Sequence, residues 1–288
     1  MIGPVSILSI QSSVAYGYVG NSAAVFPVQR LGVEVWPVPT VVFSNHAGYD
    51  AWRGPLLPAE DVRAVIRGVE ERGVLPEVDV VLSGYQGGED IGAVVLEAVA
   101  AVKAANPEAV YACDPVMGNA ESGPYVRPAI PALMREQMVP AADLVTPNQF
   151  ELGMLTGSDP RTLRETLAAV DAVRAAGPAT VLVTSVLRPD APAGTLEMLA
   201  VHRDEAWLVR TPRLPEKSHG SGDVTAALFT THLTRSSGDV RDALERTASS
   251  VFDLLRLTHE SGRWELQLVA AQEYFASPAM QFRAERVA

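Results

Sequence analysis

The sequence predicts an α/β fold, a three-layer αβα sandwich with a central, mostly parallel sheet. Short β-rich runs alternate with amphipathic helices over the first two thirds of the chain, as βαβ units require. Several of these runs are apolar almost throughout, which is typical of strands buried on both faces. A chain of 288 residues with 48% hydrophobic content can bury a large core. We expect a single domain over residues 1–288, because no repeat or low-complexity linker interrupts the pattern.

The strand and helix predictions follow the hydrophobic spacing. Six strands are predicted at 5–10, 33–43, 78–85, 109–116, 143–146 and 180–185. Between them, Val62, Val65, Ile66 and Val69 share one helical face, and residues 91–102 repeat that pattern. Runs at 195–201 and 206–209 flank a turn-like segment and predict an antiparallel hairpin. The last third is predicted to be mainly helical, with helices over 241–258 and 264–275.

Composition excludes several classes of protein. A net charge of −11 and a pI near 4.9 disfavour a nucleic-acid partner and favour a small-molecule substrate. The single cysteine, Cys113, cannot form an internal disulfide, and no zinc-ligand spacing occurs. No run of about 18 uncharged apolar residues and no targeting segment is present, so we expect a soluble, cytoplasmic protein with no membrane partner.

A glycine-rich turn, His219-Gly220-Ser221-Gly222-Asp223, stands directly before the apolar helical run 224–229. Small residues let backbone amides approach an anion, and the helix N-terminus adds positive potential. A carboxylate beside a phosphate is mildly repulsive, so Asp223 is better suited to accept a proton from an attacking hydroxyl. The alternative is that Asp223 only caps the helix.

Polar residues also follow the predicted strands, where ligands bind in open parallel sheets. Ser12 and His46 follow the first two strands, and each has a structural alternative: turn chemistry for Ser12, a structural side chain for His46.

Asp114 ends the strand before Pro115, and the next strand runs into Thr146-Pro147-Asn148 with Glu151 one turn later. Two carboxylates on adjacent strand ends suit Mg²⁺ beside a nucleotide phosphate. An Asp-Pro turn and a helix cap at Asn148 are the alternatives.

Two phosphate-binding motifs are absent. The chain has neither G-x-x-x-x-G-K-[ST] nor G-x-G-x-x-G after the first strand. Only two lysines occur, Lys103 and Lys217, so neutralisation of phosphate charge must depend on Mg²⁺, the helix dipole and backbone amides.

Taken together, seven segments resemble the ribokinase-like superfamily and, within it, the pyridoxal kinases. They are Ile10-Gln11-Ser12, residues 17–24, Phe43-Ser44-Asn45-His46, Leu82-Ser83-Gly84-Tyr85, Cys113-Asp114-Pro115-Val116-Met117-Gly118, Thr146-Pro147-Asn148 with Glu151, and Gly220-Ser221-Gly222-Asp223.

The resemblance implies a ribokinase-like αβα domain that transfers the γ-phosphate of MgATP to the 5′-hydroxymethyl group of pyridoxal, and a homodimer. By analogy, Asp223 is the base, and the amides of Gly220, Ser221 and Gly222 form the anion hole. Further residues are implied by the same resemblance: Ser12, His46 and Tyr85 for the pyridine ring, Tyr125 for a covering segment, Asp114, Thr146 and Glu151 for ATP and Mg²⁺, and Thr184, Thr211, Pro212, Arg213 and Leu214 for ATP.

Three positions depart from the family pattern. Ala47-Gly48 stands where a Thr and a polar residue are common, which removes polar contacts to the ring substituents. Thr184 replaces a frequent Lys, and Ser221 replaces a Thr but keeps the hydroxyl.

Two other functions remain open. A hydroxymethylpyrimidine kinase phosphorylates a similar hydroxymethyl heteroaromatic, but Gln11-Ser12 favours pyridoxal over the Gly-rich opening typical of those relatives. A non-catalytic vitamer-binding protein on the same fold would gain nothing from Asp223 beside an intact glycine turn.

Overall fold

The computed structural model describes residues 5–215 and 218–288. Its strands, numbered in chain order, are β1 (Ser6–Val14), β2 (Glu34–Phe43), β3 (Val80–Ser83), β4 (Val110–Cys113), β5 (Gly118–Asn119), β6 (Gly123–Pro124), β7 (Leu144–Val145), β8 (Thr180–Val186), β9 (Thr195–His202), β10 (Glu205–Pro212) and β11 (Glu285–Arg286). Its α-helices are α1 (Asn21–Arg30), α2 (Ala59–Glu70), α3 (Glu89–Ala105), α4 (Ile130–Leu133), α5 (Val139–Ala141), α6 (Gln149–Thr156), α7 (Leu163–Ala175), α8 (Ser221–Arg235), α9 (Val240–Glu260) and α10 (Gln272–Ala276).

One sheet carries nine of these strands in the order β11-β10-β9-β8-β7-β4-β3-β1-β2. The strands from β2 across to β8 are parallel, β9 is antiparallel to both β8 and β10, and β11 is antiparallel to β10. Strand β10 therefore runs in the same direction as the parallel strands. Their carboxyl ends meet at one edge of the sheet, where ligands bind in folds of this kind.

Helices cover both faces of this sheet. Leu8 and Ile10 of β1 belong to one apolar core with Val95 of α3, whereas Ile7 belongs to a second core with Leu228 of α8. Because successive strand residues point to opposite faces, both faces are buried. The three-layer α/β fold predicted from the sequence is confirmed. The single-domain assignment over 1–288 stays a prediction.

Several element boundaries differ from the sequence predictions. Strand β1 continues to Val14 and has a register irregularity between Gln11 and Ser13, so Ser12 lies inside the strand at the irregularity. Strand β4 ends at Cys113 and not at residue 116, because Pro115 has no amide hydrogen for a ladder. The hairpin of β9 and β10 and the long helix α9 are present as predicted.

The predicted closing helix over 264–275 is wrong, because only Gln272–Ala276 is helical. Leu266 and Leu268 are both fully buried although they lie two residues apart, Gln267 between them is only partly buried, and Glu265 before them is hydrogen-bonded to distant loops. Alternate burial of this kind needs an extended backbone. Across the described residues, no helix combines the length and the apolar character that a bilayer span needs.

Candidate active site

The glycine turn lies where the sequence predicts it, at the start of α8. Gly220 has a φ of 82° and precedes Ser221, the first helical residue. A Cβ at Gly220 would collide with the backbone carbonyl of Tyr18, so both the left-handed conformation and the close contact require glycine. The first amides of α8 have no partner within the helix and are available to an anion.

Asp223 lies in the first turn of α8 and is partly buried. Desolvation raises the pKa of its carboxyl to about 6, against the lowering effect of hydrogen bonds from the backbone amides of Gly20 and Asp223 itself. Gly20 in turn packs against Ser12, since a Cβ at Gly20 would collide with the Ser12 hydroxyl and carbonyl. The structure thus brings the predicted base and the predicted ring-binding serine to the same backbone segment.

The carboxylate of Asp114 lies at the end of β4, next to the end of β7. Thr146 donates its hydroxyl to Asp114 Oδ1 at 3.1 Å, and both residues are buried. Burial, followed by repulsion from Glu151 and Asp223, holds the pKa of Asp114 well above its usual range. The predicted adjacency of these strand ends is confirmed, and Asp114, Glu151 and Asp223 form one electrostatic cluster.

Glu151 has a structural role that the sequence analysis did not assign to it. Its Oε1 accepts hydrogen bonds from the amides of Met117 and Gly118 at 2.8 and 3.3 Å, and its Oε2 accepts one from the amide of Asn148 at 2.9 Å. Asn148 caps α6, as its alternative interpretation predicted. Burial still raises the pKa of Glu151 to about 7.

The carboxylates fit Mg²⁺ that retains water and phosphate ligands. Within residues 5–215 and 218–288, no set of three His, Cys, Asp or Glu side chains lies close enough to hold a metal ion. Asp114 and Glu151 are buried carboxyl groups whose raised pKa values reflect the poor solvation of their charged forms, and a cation would offset that cost. Mg²⁺ commonly binds through one or two carboxylates plus substrate phosphates.

Two aromatic residues flank this cluster. Tyr85 follows β3 and is partly buried, and burial raises the pKa of its hydroxyl. Tyr125 follows the hairpin of β5 and β6, and burial together with Glu151, Asp223 and Asp114 raises its pKa. Tyr125 is therefore close enough to all three carboxylates for their charges to act on its hydroxyl, and its place in a covering segment stays a prediction.

The residues predicted to contact ATP reach the same edge of the sheet. The amide of Thr184 donates to the carbonyl of Pro147 at 3.0 Å, which joins β8 to the start of α6. Thr211 and Pro212 end β10, and Arg213 and Leu214 follow them. Of the two lysines, Lys103 forms an ion pair with Asp143 at 2.7 Å, whereas Lys217 lies outside the described residues.

His46 is buried in a cluster of rings. It stacks on His219 with centroids 4.3 Å apart, and it contacts Tyr49 and Trp264 at 4.8 and 5.2 Å. Its Nε2 lies 3.0 Å from Glu265 Oε1. These partners are all protein groups, so the predicted contact of His46 with the pyridine ring stays a prediction.

Sequence reasoning missed Tyr49, His219, Trp264 and Glu265 as members of this site. Trp264 and Glu265 were predicted to lie on a helix, and their contacts join segments more than 200 residues apart. From the sequence, Gly48 was interpreted only as the loss of a polar contact to the ring substituents. A Cβ there would lie 2.7 Å from His219 and 2.9 Å from His46, so the small residue makes room for the stacked histidines.

Comparison with known proteins identifies the family. Residues 61–267 match the family model described as Phosphomethylpyrimidine kinase. A pyridoxal kinase PdxY of Leifsonia xyli subsp. xyli is 66% identical, over 98% of this chain and 99% of the relative. The chain belongs to the pyridoxal kinase family. A second PdxY of this family, from Corynebacterium diphtheriae, is 58% identical over 98% of this chain and 100% of its own length.

A solved member of the pyridoxal kinase family has the same fold. The pyridoxal kinase from Leishmania donovani, in complex with ADP and pyridoxine, matches with a TM-score of 0.91 at 29% identity. The match covers 98% of this chain and 99% of that chain. The resemblance to pyridoxal kinases inferred from the motifs is therefore confirmed.

Proposed function

We propose that the protein transfers the γ-phosphate of ATP to the 5′-hydroxymethyl group of pyridoxal and so forms pyridoxal 5′-phosphate. The observation that carries the proposal is the position of Asp223 in the first turn of α8, directly after the Gly220 turn and in the same electrostatic cluster as Asp114. Relatives named pyridoxal kinase that match along the whole chain support the same substrate.

Asp223 acts as the general base in this proposal. With a pKa of about 6, its carboxyl is mostly ionised at neutral pH and can still accept a proton readily. It takes the proton of the hydroxymethyl group as that oxygen bonds to the γ-phosphorus, the bond from the γ-phosphorus to the bridging oxygen breaks, and ADP leaves. The amides of Gly220, Ser221 and Gly222, with the dipole of α8, stabilise the charge on the transferred phosphoryl group.

The nucleotide lies along the carboxyl edge of the sheet. Asp114 and Glu151 hold Mg²⁺, and Thr146 orients Asp114 through its 3.1 Å hydrogen bond. Bound Mg²⁺ neutralises charge on the phosphates. The other proposed ATP contacts are Thr184, Thr211, Pro212, Arg213 and Leu214.

The vitamer lies on the other side of the glycine turn. Ser12 hydrogen-bonds the pyridine ring, and His46 and Tyr85 line its pocket. Tyr125 covers the site from the β5–β6 hairpin. Gly20 supports this arrangement, because it packs against Ser12 and its amide donates to the carboxyl of Asp223. The pyridine ring at Ser12 and the hydroxyl that Asp223 deprotonates belong to the same small substrate.

A hydroxymethylpyrimidine kinase is the second candidate, because the matching family model is described as Phosphomethylpyrimidine kinase. The deciding experiment incubates the purified protein with ATP and Mg²⁺ and either pyridoxal or hydroxymethylpyrimidine, and measures product by chromatography. We expect pyridoxal 5′-phosphate with wild type and little with Asp223→Asn. Turnover of the pyrimidine alone would support the alternative. Pyridoxal binding without turnover would indicate a vitamer-binding protein.

The homodimer implied by the resemblance has a candidate surface. Large apolar side chains are exposed at Tyr16, Trp52, Trp264 and Val269, the first of them 63% and the last 60%. Tyr16 and Trp264 both contact Tyr49, and Tyr16, Trp264 and Val269 line one cavity of about 430 Å³. An apolar patch of this kind is typical of a protein interface.

Light scattering on wild type and on Val269→Glu tests the dimer. We expect the variant to be monomeric, with Val65→Glu, on an exposed position of α2, as a control that stays dimeric. A monomeric wild type would contradict the proposal. The cytoplasmic location expected from the sequence stays a prediction.

A further inference from the structure

We propose that Glu265 is a positioning residue that fastens three loops around the vitamer pocket, an inference that rests on the proposed function. Its Oε1 accepts a hydrogen bond from the Tyr49 hydroxyl at 2.7 Å and lies 3.0 Å from His46 Nε2. Its Oε2 accepts a hydrogen bond from the amide of Tyr18 at 3.1 Å. One carboxylate thus joins the loop after β1, the loop after β2 and the segment after α9.

The site is shaped around this carboxylate. Glu265 is only 9% exposed. Gly17 has a φ of 86°, and a Cβ there would lie 2.5 to 2.7 Å from the carboxylate atoms of Glu265. Gly17 therefore leaves the space that the carboxylate occupies. A buried carboxylate costs free energy unless hydrogen bonds satisfy it, and three donors from two loops do so here.

Glu265 also fixes the orientation of the His46 ring. The amide of Gly48 donates to His46 Nδ1 at 3.2 Å, so Nδ1 carries no proton. In the neutral ring the proton is then on Nε2 and is donated to Glu265 Oε1. With both ring nitrogens engaged, the face of His46 is held in its stack with His219.

The same contacts reach the glycine turn. Tyr18 gives its amide to Glu265, while its carbonyl packs against Gly220. His219, which stacks on His46, directly precedes Gly220. Two independent routes therefore connect Glu265 to the first turn of α8. Through them the carboxylate sets the position of the ring pocket relative to the phosphate-binding turn.

Only a carboxylate can satisfy all these donors. Gln at position 265 keeps the size of the side chain, but its amide nitrogen would face a donor, either Tyr18 or the Tyr49–His46 pair. Glu265→Gln therefore breaks one side of the fastening without leaving a cavity. Glu273→Gln is the matched control, because Glu273 is also in the segment after α9 but its side chain is exposed and forms a surface ion pair with Arg30.

Steady-state kinetics with pyridoxal and ATP give the first readout. In Glu265→Gln we expect KM for pyridoxal to rise about tenfold, kcat to fall less than about threefold, and KM for ATP to change less than about twofold. Glu273→Gln should match wild type in all three. An unchanged KM for pyridoxal, or an equal rise in both KM values, would overturn the proposal.

A second readout needs no turnover and so separates this inference from the proposed function. Long-range nitrogen-15 NMR of the wild-type protein should show His46 as the Nε2–H tautomer, and the His46 ring nitrogen signals should shift in Glu265→Gln because the carboxylate charge beside Nε2 is lost. An Nδ1–H tautomer in the wild type, or His46 signals that are unchanged in the variant, would also overturn the proposal, whatever the enzyme phosphorylates. If Glu265→Gln does not fold, Tyr49→Phe removes one donor alone, and we expect about a threefold rise in KM for pyridoxal. No rise there would overturn it.

Discussion

Asn148 and Glu151 cap the same helix reciprocally. Asn148 Oδ1 accepts the amide of Glu151 at 2.9 Å, and Glu151 Oε2 accepts the amide of Asn148 at the same distance. The other oxygen of Glu151 holds the amides of Met117 and Gly118. Glu151 thus ties the loop after β4 to the start of α6, whereas Asp114 receives a hydrogen bond from Thr146. The two proposed metal ligands therefore differ in how they stabilise the fold, because Glu151 accepts hydrogen bonds from backbone amides of two segments and Asp114 accepts one from a side chain.

Neutralising each carboxylate should separate these two roles. Asp114→Asn removes a repelled, buried charge, so we expect unfolding free energy without Mg²⁺ to stay equal or to rise. Glu151→Gln loses acceptors for buried amides and should lower it by roughly 1–3 kcal/mol. Both variants should need roughly tenfold more Mg²⁺ for half-maximal rate. Denaturant titrations and Mg²⁺ titrations measure the two effects. Unchanged Mg²⁺ requirements in both variants would remove these carboxylates from the metal site.

Replacing the proposed base should slow the reaction without unfolding the protein. Because a positioned general base contributes roughly 10²–10⁴-fold, Asp223→Asn should lower kcat by that factor and leave ADP binding intact. With a pKa of about 6, Asp223 is protonated on the acid side, so wild-type kcat/KM should fall as pH drops below about 6. The residual kcat/KM of Asp223→Asn should not show this fall at acidic pH, which is the acid limb of the pH profile. Near wild-type turnover, or the same limb in the variant, would exclude Asp223 as the base.

Restoring a side chain next to the stacked histidines should tighten vitamer binding. Ala47 is exposed, so Thr fits there, and one added neutral hydrogen bond is worth about 0.5–1.5 kcal/mol. We expect Ala47→Thr to lower KM for pyridoxal by roughly 2- to 13-fold with little change in kcat. Gly48→Ala is the contrast, because its Cβ would push His219 from His46 and raise that KM. An Ala47→Thr effect confined to kcat would contradict this role for the loop.

His232 should make the protein less stable in acid. It is buried in α8 with no hydrogen-bond partner for Nε2, and burial, with Arg246 nearby, lowers its pKa to about 4. An unfolded chain, with a histidine pKa of about 6.5, binds this proton first as pH falls. The contribution of neutral His232 is therefore complete above about pH 6.5 and is lost towards pH 4. This amounts to roughly 2 kcal/mol between about pH 7 and 5.

Thermal unfolding of His232→Leu checks this origin of acid sensitivity. The variant keeps a similar volume and has no proton to bind, so its Tm should fall less between about pH 7 and 5 than the wild-type Tm does. Parallel Tm curves would show that His232 is not responsible.

Local patterns were enough to predict the sheet and one edge of the site. Apolar runs that end at Asp114-Pro115 or Thr146-Pro147 show where strands stop, and strand ends in such a sheet meet. The environment of Glu265 could not be predicted in that way. Leu268, Ala271 and Phe275 are buried at helical intervals, which favoured a helix over 264–275. The hydrogen bonds that compete with this helix join Glu265 to Tyr18 and Tyr49, which lie 247 and 216 residues from it in the chain.

The pairing of β11 with β10 limits what can be fused directly after residue 288. Residues 285–288 cover the outer strand, since the amide of Val287 donates to Ala206 and the amide of Ala206 donates to Ala288. Glu285 also binds Arg210 at 2.6 Å. Covering a strand edge in this way blocks its pairing with another chain. A purification tag fused directly after residue 288 would therefore disturb a strand that blocks intermolecular pairing at this edge, and a flexible spacer before the tag would avoid this.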